Sequence, residues 1–347
     1  MVGFKQNPFH INAAPSKTNT APVPSLYPGF PLTDKANPRP RPQSQKKPCN
    51  KFITNIIRKY SSNWTEHEEN HQNFRSLLIN NCNGFQKAMV TKANTPVKTK
   101  LVFDADGYVL EVQENVFNTF VKDSPFSDTV LDTCAVVGNG GILGDSGCGE
   151  AIDSAQFVIR CNLPSLDKVF TKHVGRKTSL VTANPGIITN KYGSLLTYRR
   201  RFVEDLQIYR DSMIFLPAFS FKHKTQVCLR AAYTLGDFRT SVKPVFMNPE
   251  YLKSLDTFWR SQGLDPNNRL STGLMMVSLA LEVCNNVDVY GFWPFGNHPH
   301  TFEPVSNHYY DNQKPSRYFH DMPEEFAFLL KLHSQGILRL HLGQCAF

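Results

Sequence analysis

From residue 130 onward the chain repeats one pattern: a short apolar run, a glycine- or asparagine-rich turn, then a stretch with apolar residues at helical spacing. The apolar runs predict strands at 134–137, 157–161, 179–182, 213–216, 243–246 and 287–291. The intervening periodicity predicts helices at 149–155, 198–209, 226–235, 249–262, 273–284 and 323–335. Strands that alternate with helices imply an α/β fold, a Rossmann-like, mostly parallel sheet covered by helices on both faces. Upstream, Phe52, Ile56 and Ile57, then Phe74, Leu77 and Leu78, then Phe85, Ala88 and Met89 keep helical spacing over 50–93. Residues 101–112 read as a hairpin turning at Asp106-Gly107. Before residue 49 the periodicity stops. Residues 1–48 carry 10 of the 23 prolines and are expected to form an extended, solvated stem. The expected organisation is a Pro-rich basic stem (1–48), a helical and hairpin lead-in (49–130) and a catalytic domain (131–347).

Composition narrows the classes. With 347 residues, 41% apolar and 19% charged, the chain can bury a large core, which excludes fibrous and generally disordered readings. No window approaches 18 consecutive apolar residues, and Met1 is not followed by a signal-peptide core. The net charge of +9 is concentrated in the stem, where seven Lys/Arg face Asp34 alone. The remaining 299 residues hold 31 Lys/Arg against 28 acids, a balance that gives no support to a nucleic-acid surface. Eight cysteines occur without a CxxC pair or a Cys/His cluster at metal-ligand spacing, so a zinc site is not indicated. Their number fits either buried thiols or long-range disulfides. The sequon Asn63-Trp64-Thr65 tilts the balance toward a glycosylated protein of the secretory route.

The clearest local signal is Cys134-Ala135-Val136-Val137-Gly138-Asn139-Gly140-Gly141, a buried strand that runs into a glycine-rich turn. In a parallel sheet such a turn lies at the carboxyl edge, where ligands bind. Leu143 stands where GxGxxG needs its third glycine, and no GKS or GKT occurs, so dinucleotide and P-loop readings are poor. Asp104-Ala105-Asp106 has the spacing of a metal-holding pair, but Asp106-Gly107 is better explained as the hairpin turn. Ser271-Thr272-Gly273 precedes an apolar run, where a hydroxyl cap opens a helix whose free amides can hold a phosphate. Asn139 and Asn162 each follow a strand, as turn formers or as amides available to a ligand. Trp293-Pro294-Phe295 directly follows a strand end, as core or as a wall against a ligand.

In chain order, Cys134–Asn162, Ser271–Phe295, His308-Tyr309-Tyr310-Asp311 and the segment from Met322-Pro323-Glu324-Glu325 to His333 resemble the large, small and two C-terminal motifs of the animal sialyltransferases. Within that family they are most similar to the α2,8 group. The resemblance spans roughly residues 74–345 and implies a variant GT-A sialyltransferase fold. It implies transfer of sialic acid from CMP-sialic acid to the 8-hydroxyl of a terminal sialic acid on a glycolipid or glycoprotein, with inversion and without metal or other cofactor. A monophosphate leaving group suits this, because its charge can be met by amides, a helix N-terminus and a histidine.

By the same resemblance His333 is the general base and His308 supports the departing CMP. Asn139, Asn162, Ser271, Thr272, Gly273, Trp293, Pro294, Phe295 and His308 line the donor site. The family pairs Cys134 with Cys284 and Cys148 with Cys345. Cys49–Cys82 is a weaker expectation, and Cys161 and Cys228 are left free. The family is anchored in the Golgi membrane by an N-terminal span that this chain lacks, so either a truncated N-terminus or a soluble variant is expected, truncation being favoured, and the expected location is the Golgi lumen, at the Golgi membrane through the missing segment. Asn307 departs from the family, whose members often have histidine there. The basic residues of 222–260 are diluted by Asp237, Glu250 and Asp256, which favours addition of one or a few sialic acids. The alternative is a catalytically inactive sialoside-binding or scaffold protein, against which intact His308 and His333 argue.

Overall fold

A computed structural model describes residues 46–60, 64–126, 130–313 and 320–345, with side chains from Ile53 onward. The expected stem up to residue 45 and the sequon residue Asn63 lie outside the described residues. A helix at Lys46–Tyr60 takes in the last three residues assigned to the stem.

The described chain contains ten strands: β1 (Met89–Val90), β2 (Lys100–Val102), β3 (Val109–Glu111), β4 (Leu131–Val137), β5 (Phe157–Arg160), β6 (Leu180–Thr182), β7 (Met213–Leu216), β8 (Lys243–Met247), β9 (Cys284–Tyr290) and β10 (Arg339–His341). Eight form one sheet in the order β1-β8-β7-β6-β5-β4-β9-β10, while β2 and β3 pair as the separate hairpin. Within the eight-stranded sheet only β1 runs antiparallel to its neighbour, and the hairpin pair β2 and β3 is antiparallel as well. The lead-in is therefore part of the sheet, and the described residues form one compact unit.

Both faces of the sheet are buried, as the near-continuous apolar runs require. Along β4, Cys134 and Val136 enter one core, and Ala135 and Val137 enter the other. The helix Thr272–Val283 is buried on all sides from Leu274 on, and its leucine, methionine and valine side chains are each worth roughly 1.5–3 kcal/mol of burial. Its one acid, Glu282, is fully buried and accepts from the Gly84 amide and, at 2.8 Å, from the Tyr251 hydroxyl. Arg75 Nε donates to the Glu282 carbonyl at 2.8 Å, which ties the lead-in helix Glu68–Asn81 to this core.

Two disulfides brace the sheet. Cys134–Cys284 joins β4 to β9 with Cα atoms 6.0 Å apart, and Cys148–Cys345 joins the start of the helix Gly149–Ser154 to the C-terminal segment with Cα atoms 5.0 Å apart. Loops of 150 and 197 residues closed in this way are worth about 5 kcal/mol each in the chain-entropy model. Cys82, Cys161 and Cys228 are free, buried thiols. The weaker Cys49–Cys82 expectation is thus not met at Cys82, and the Cys49 side chain lies outside the described residues.

Candidate active site

The chain builds outward from β4 through β5, β6, β7 and β8, then returns to the other side of β4 with β9. This reversal opens a crevice beyond the carboxyl ends of β4, β5, β6 and β9. The turn after β4 is joined to the turn after β9, since Gly138 N donates to Tyr290 O at 2.8 Å and Gly140 N to Gly291 O at 2.9 Å.

Three asparagines and a threonine share the crevice. Asn139 Nδ2 donates to Cys161 O at 2.8 Å, while its Oδ1 is buried without a hydrogen-bond partner. A buried acceptor of this kind is costly unless a ligand supplies the donor. Asn162 holds a left-handed backbone (φ +60°), and its Oδ1 accepts from Asn184 N at 3.0 Å. Thr272 Oγ1 donates to Asn184 Oδ1 at 3.4 Å, bringing the helix N-terminus beside the strand ends.

That N-terminus is capped by Ser271, whose Oγ accepts from Leu274 N at 3.1 Å. The rotamer is set by Glu325, which is 4% exposed and accepts from Ser271 N at 2.6 Å and from the Ser271 hydroxyl. Burial pushes the Glu325 carboxyl up to about 7, and the two Ser271 bonds pull the other way. Glu325 lies in the first turn of the helix Met322–Ser334, which Asp321 caps by accepting from Glu324 N at 3.0 Å.

His308 reaches the crevice from the loop after β9. Its backbone pairs with Gly140, and Tyr309 N donates to Asn139 O at 2.9 Å. Its Nδ1 lies 2.7 Å from Asp311 Oδ1, its Nε2 lies 3.2 Å from Asn307 Nδ2, and its ring stacks on Tyr310. Trp293 is packed in the core, 6% exposed, with Nε1 donating to Asn297 O and its ring against Phe295 and Phe326. The aromatic ring against the glycines is Phe292, since a Cβ on Gly138 or Gly273 would come within 3.0 or 2.7 Å of it. Pro294 and Phe295 are half-buried beside it.

The surroundings of His333 do not favour the general-base role expected of it. Its ring is 4% exposed, stacks on Tyr60 with centroids 4.8 Å apart and lies parallel to Trp64 at 6.3 Å. Its Nδ1 accepts from Leu340 N at 3.2 Å, and the backbones of Tyr60 and Leu338 are its further hydrogen-bond partners. A ring whose lone pair already serves an amide has none for a substrate proton. Burial also holds its pKa below the ordinary value. None of its described contacts reaches Asn139, Asn162, Ser271 or His308.

A different histidine meets the requirement. His320, half-buried and directly before the Asp321 cap, places Nδ1 2.7 Å from Arg269 O. A carbonyl can only accept, so Nδ1 carries a proton, and in the neutral ring the lone pair is then on Nε2. Sequence reasoning passed over His320, Arg269, Asn184 and the Glu325 contact. The available signal was a histidine five residues before a buried glutamate at a helix start. Asp104 and Asp106 are already engaged, Asp104 Oδ2 by Arg269 Nη2 at 2.9 Å and Asp106 by the amides of Tyr108 and Lys222. Among the described residues no group of three or more His, Cys, Asp or Glu is placed to hold a metal.

The family model for glycosyltransferase family 29 (sialyltransferase) matches residues 86–337. The chain is 44% identical over 299 residues to human "Alpha-2,8-sialyltransferase 8F", covering 85% of this chain and 74% of that protein. It is 43% identical over 304 residues to the Xenopus tropicalis "Alpha-N-acetylneuraminide alpha-2,8-sialyltransferase", covering 86% of each. Among solved structures, a mammalian sialyltransferase aligns over 86% of both chains with 20% identity and a TM-score of 0.45.

Proposed function

Because the chain belongs to glycosyltransferase family 29, the sialyltransferases, we propose that it moves sialic acid from CMP-sialic acid to the 8-hydroxyl of a terminal sialic acid, with inversion and with His320 as general base. The acceptor is a sialylated glycolipid or glycoprotein, and the place of work is the Golgi lumen. No helix of the described residues is long and apolar enough to cross a membrane.

The observation that carries this reading is the His320 contact. With Nδ1 donating to Arg269 O, Nε2 can accept the acceptor's hydroxyl proton as that oxygen attacks the anomeric carbon. The new C–O bond forms on the face opposite the breaking bond to phosphate, which inverts the centre. Charge grows on the departing CMP phosphate. The first amides of the Ser271-capped helix and His308 are the groups that would meet it, with Asp311 fixing the His308 ring. Asn139, with its unsatisfied Oδ1, and Asn162 would hold the nucleoside.

The test is acceptor choice. Purified chain is incubated with CMP-sialic acid and either α2,3-sialyllactose or lactose, and product linkage is read by NMR. An α2,8-linked disialyl product from sialyllactose, with little from lactose, is expected. Transfer to lactose alone would overturn the reading.

A further inference from the structure

Arg269 stands beside the reaction just described, and no step of it uses the side chain. Its backbone carbonyl accepts from His320 at 2.7 Å, and it lies two residues before the Ser271 cap. Its guanidinium is therefore within one side chain's reach of the base. Nη2 donates to Asp104 Oδ2 at 2.9 Å, and the guanidinium sits over the Phe221 ring at 4.7 Å from the centroid. The Asp104 side chain is 10% exposed and that of Arg269 is 30% exposed, so the anion is inside and the cation faces out. No other hydrogen bond of this guanidinium is made among the described residues. A guanidinium has five N–H donors, and stacking with one ion pair fixes its plane in advance, so little rotamer freedom is lost when a second carboxylate arrives.

We propose that Arg269 is the acceptor-recognition residue, binding the C1 carboxylate of the acceptor's terminal sialic acid while His320 takes the proton from the 8-hydroxyl of the same sugar. This rests on the α2,8 reading above. A sialic acid end offers one carboxylate and one reacting hydroxyl, and residue 269 brings a fixed cation and the base to one place. A neutral galactose end offers hydroxyls and no anion, so an arginine held there with donors to spare favours the sialic acid end over it. The hairpin aspartate that looked like half of a metal pair acquires a purpose in this account, because Asp104 holds the arginine that meets the acceptor.

The experiment compares kcat/KM for α2,3-sialyllactose and for its neutral C1 amide, with CMP inhibition as a measure of donor-site integrity. Wild type should prefer the acid by about 10–100-fold, the factor expected of a charge-assisted bond. Arg269→Gln should reduce that preference below roughly threefold while leaving the CMP inhibition constant within about twofold. Arg269→Lys, which keeps the charge and loses the fork, should fall between them. Should Arg269→Gln fail to fold, the wild-type comparison decides, since equal use of acid and amide overturns the proposal. An unchanged preference in a folded Arg269→Gln overturns it as well. If sialyllactose is no acceptor at all and lactose is, the activity reading itself has fallen; if acid and amide serve equally, only this inference has.

Discussion

Replacing Glu325 by glutamine removes a proton-binding group from beneath the donor helix while preserving its shape. The carboxyl is nearly enclosed, and its pKa is lifted by burial from the ordinary 4.5 to about 7. That displacement corresponds to roughly 3 kcal/mol between the two protonation states. A carboxyl whose folded pKa lies above its unfolded value favours folding in its protonated form. Its contribution is fully present below about 4.5 and is lost as pH rises through about 7. Wild type should therefore lose about 3 kcal/mol from this site between pH 4.5 and pH 8, and Glu325→Gln, which has no proton to lose, should lack that slope. For a chain of this size each kcal/mol moves the unfolding midpoint by roughly 2 °C, so the slopes should diverge by about 6 °C. Differential scanning fluorimetry of both proteins from pH 4.5 to 8 reads this directly. Glu325→Ala should be worse at every pH, because the buried Ser271 amide and hydroxyl lose their acceptors at roughly 1–3 kcal/mol each. If Glu325→Gln follows the wild-type slope, the titrating proton is elsewhere and the account of the Ser271 cap is wrong.

His320→Ala should lower kcat by about 10²–10⁴ with CMP affinity nearly unchanged, the usual size of a positioned general base. A kcat above a third of wild type would remove His320 from that role. His333→Ala should act on stability instead, leaving the Leu340 amide unpaired at about 1–3 kcal/mol, with kcat within a few-fold of wild type; a base-like collapse of kcat in well-folded protein would restore the assignment of His333. Transfer should persist in excess EDTA, because both carboxylates of the DxD are engaged within the fold, and activity lost to EDTA and recovered with Mn²⁺ would contradict this. Cys148→Ser with Cys345→Ser should destabilise the protein by about 5 kcal/mol or less, measured as the shift in urea midpoint, and an unshifted midpoint would show that the bridge does not brace the C-terminal segment.

The strands and helices from 131 onward were legible because each buries apolar residues at its own period. What the period misses is short or depends on a distant partner. β1 and β10 have two and three residues and exist as strands only through β8 and β9. The helix Pro185–Tyr192 has little apolar periodicity; its signals were at its ends, Asn184 before Pro185 and Gly193 after Tyr192 with φ +55°. The two histidines teach the same lesson about sites. His333 falls on the apolar stripe with Phe326, Leu329 and Leu332, and a ring on that stripe ends inside the protein. His320 lies in the loop before the cap, where side chains can face a crevice, and only the long-range contact with Arg269 identifies it.

The glycine-rich turn after β4 explains why a motif that fails the dinucleotide pattern still marks the site. Its glycines admit other loops of the protein rather than a pyrophosphate. A Cβ on Gly140 would lie 2.6 Å from Gly291 O, and one on Gly141 would lie 2.1 Å from Ser306 O. The turn is thus pressed from one side by the end of β9 and from the other by the segment leading to His308. The hydrogen bond from Gly140 N to Gly291 O and the pairing of Gly140 with His308 run through that contact. Residues 291–313 contain no helix or strand of their own, so their position depends on these contacts more than on local propensity. The spacing of the glycines answers to two protein backbones, and it fixes the histidine of the leaving-group side against the asparagines of the donor side.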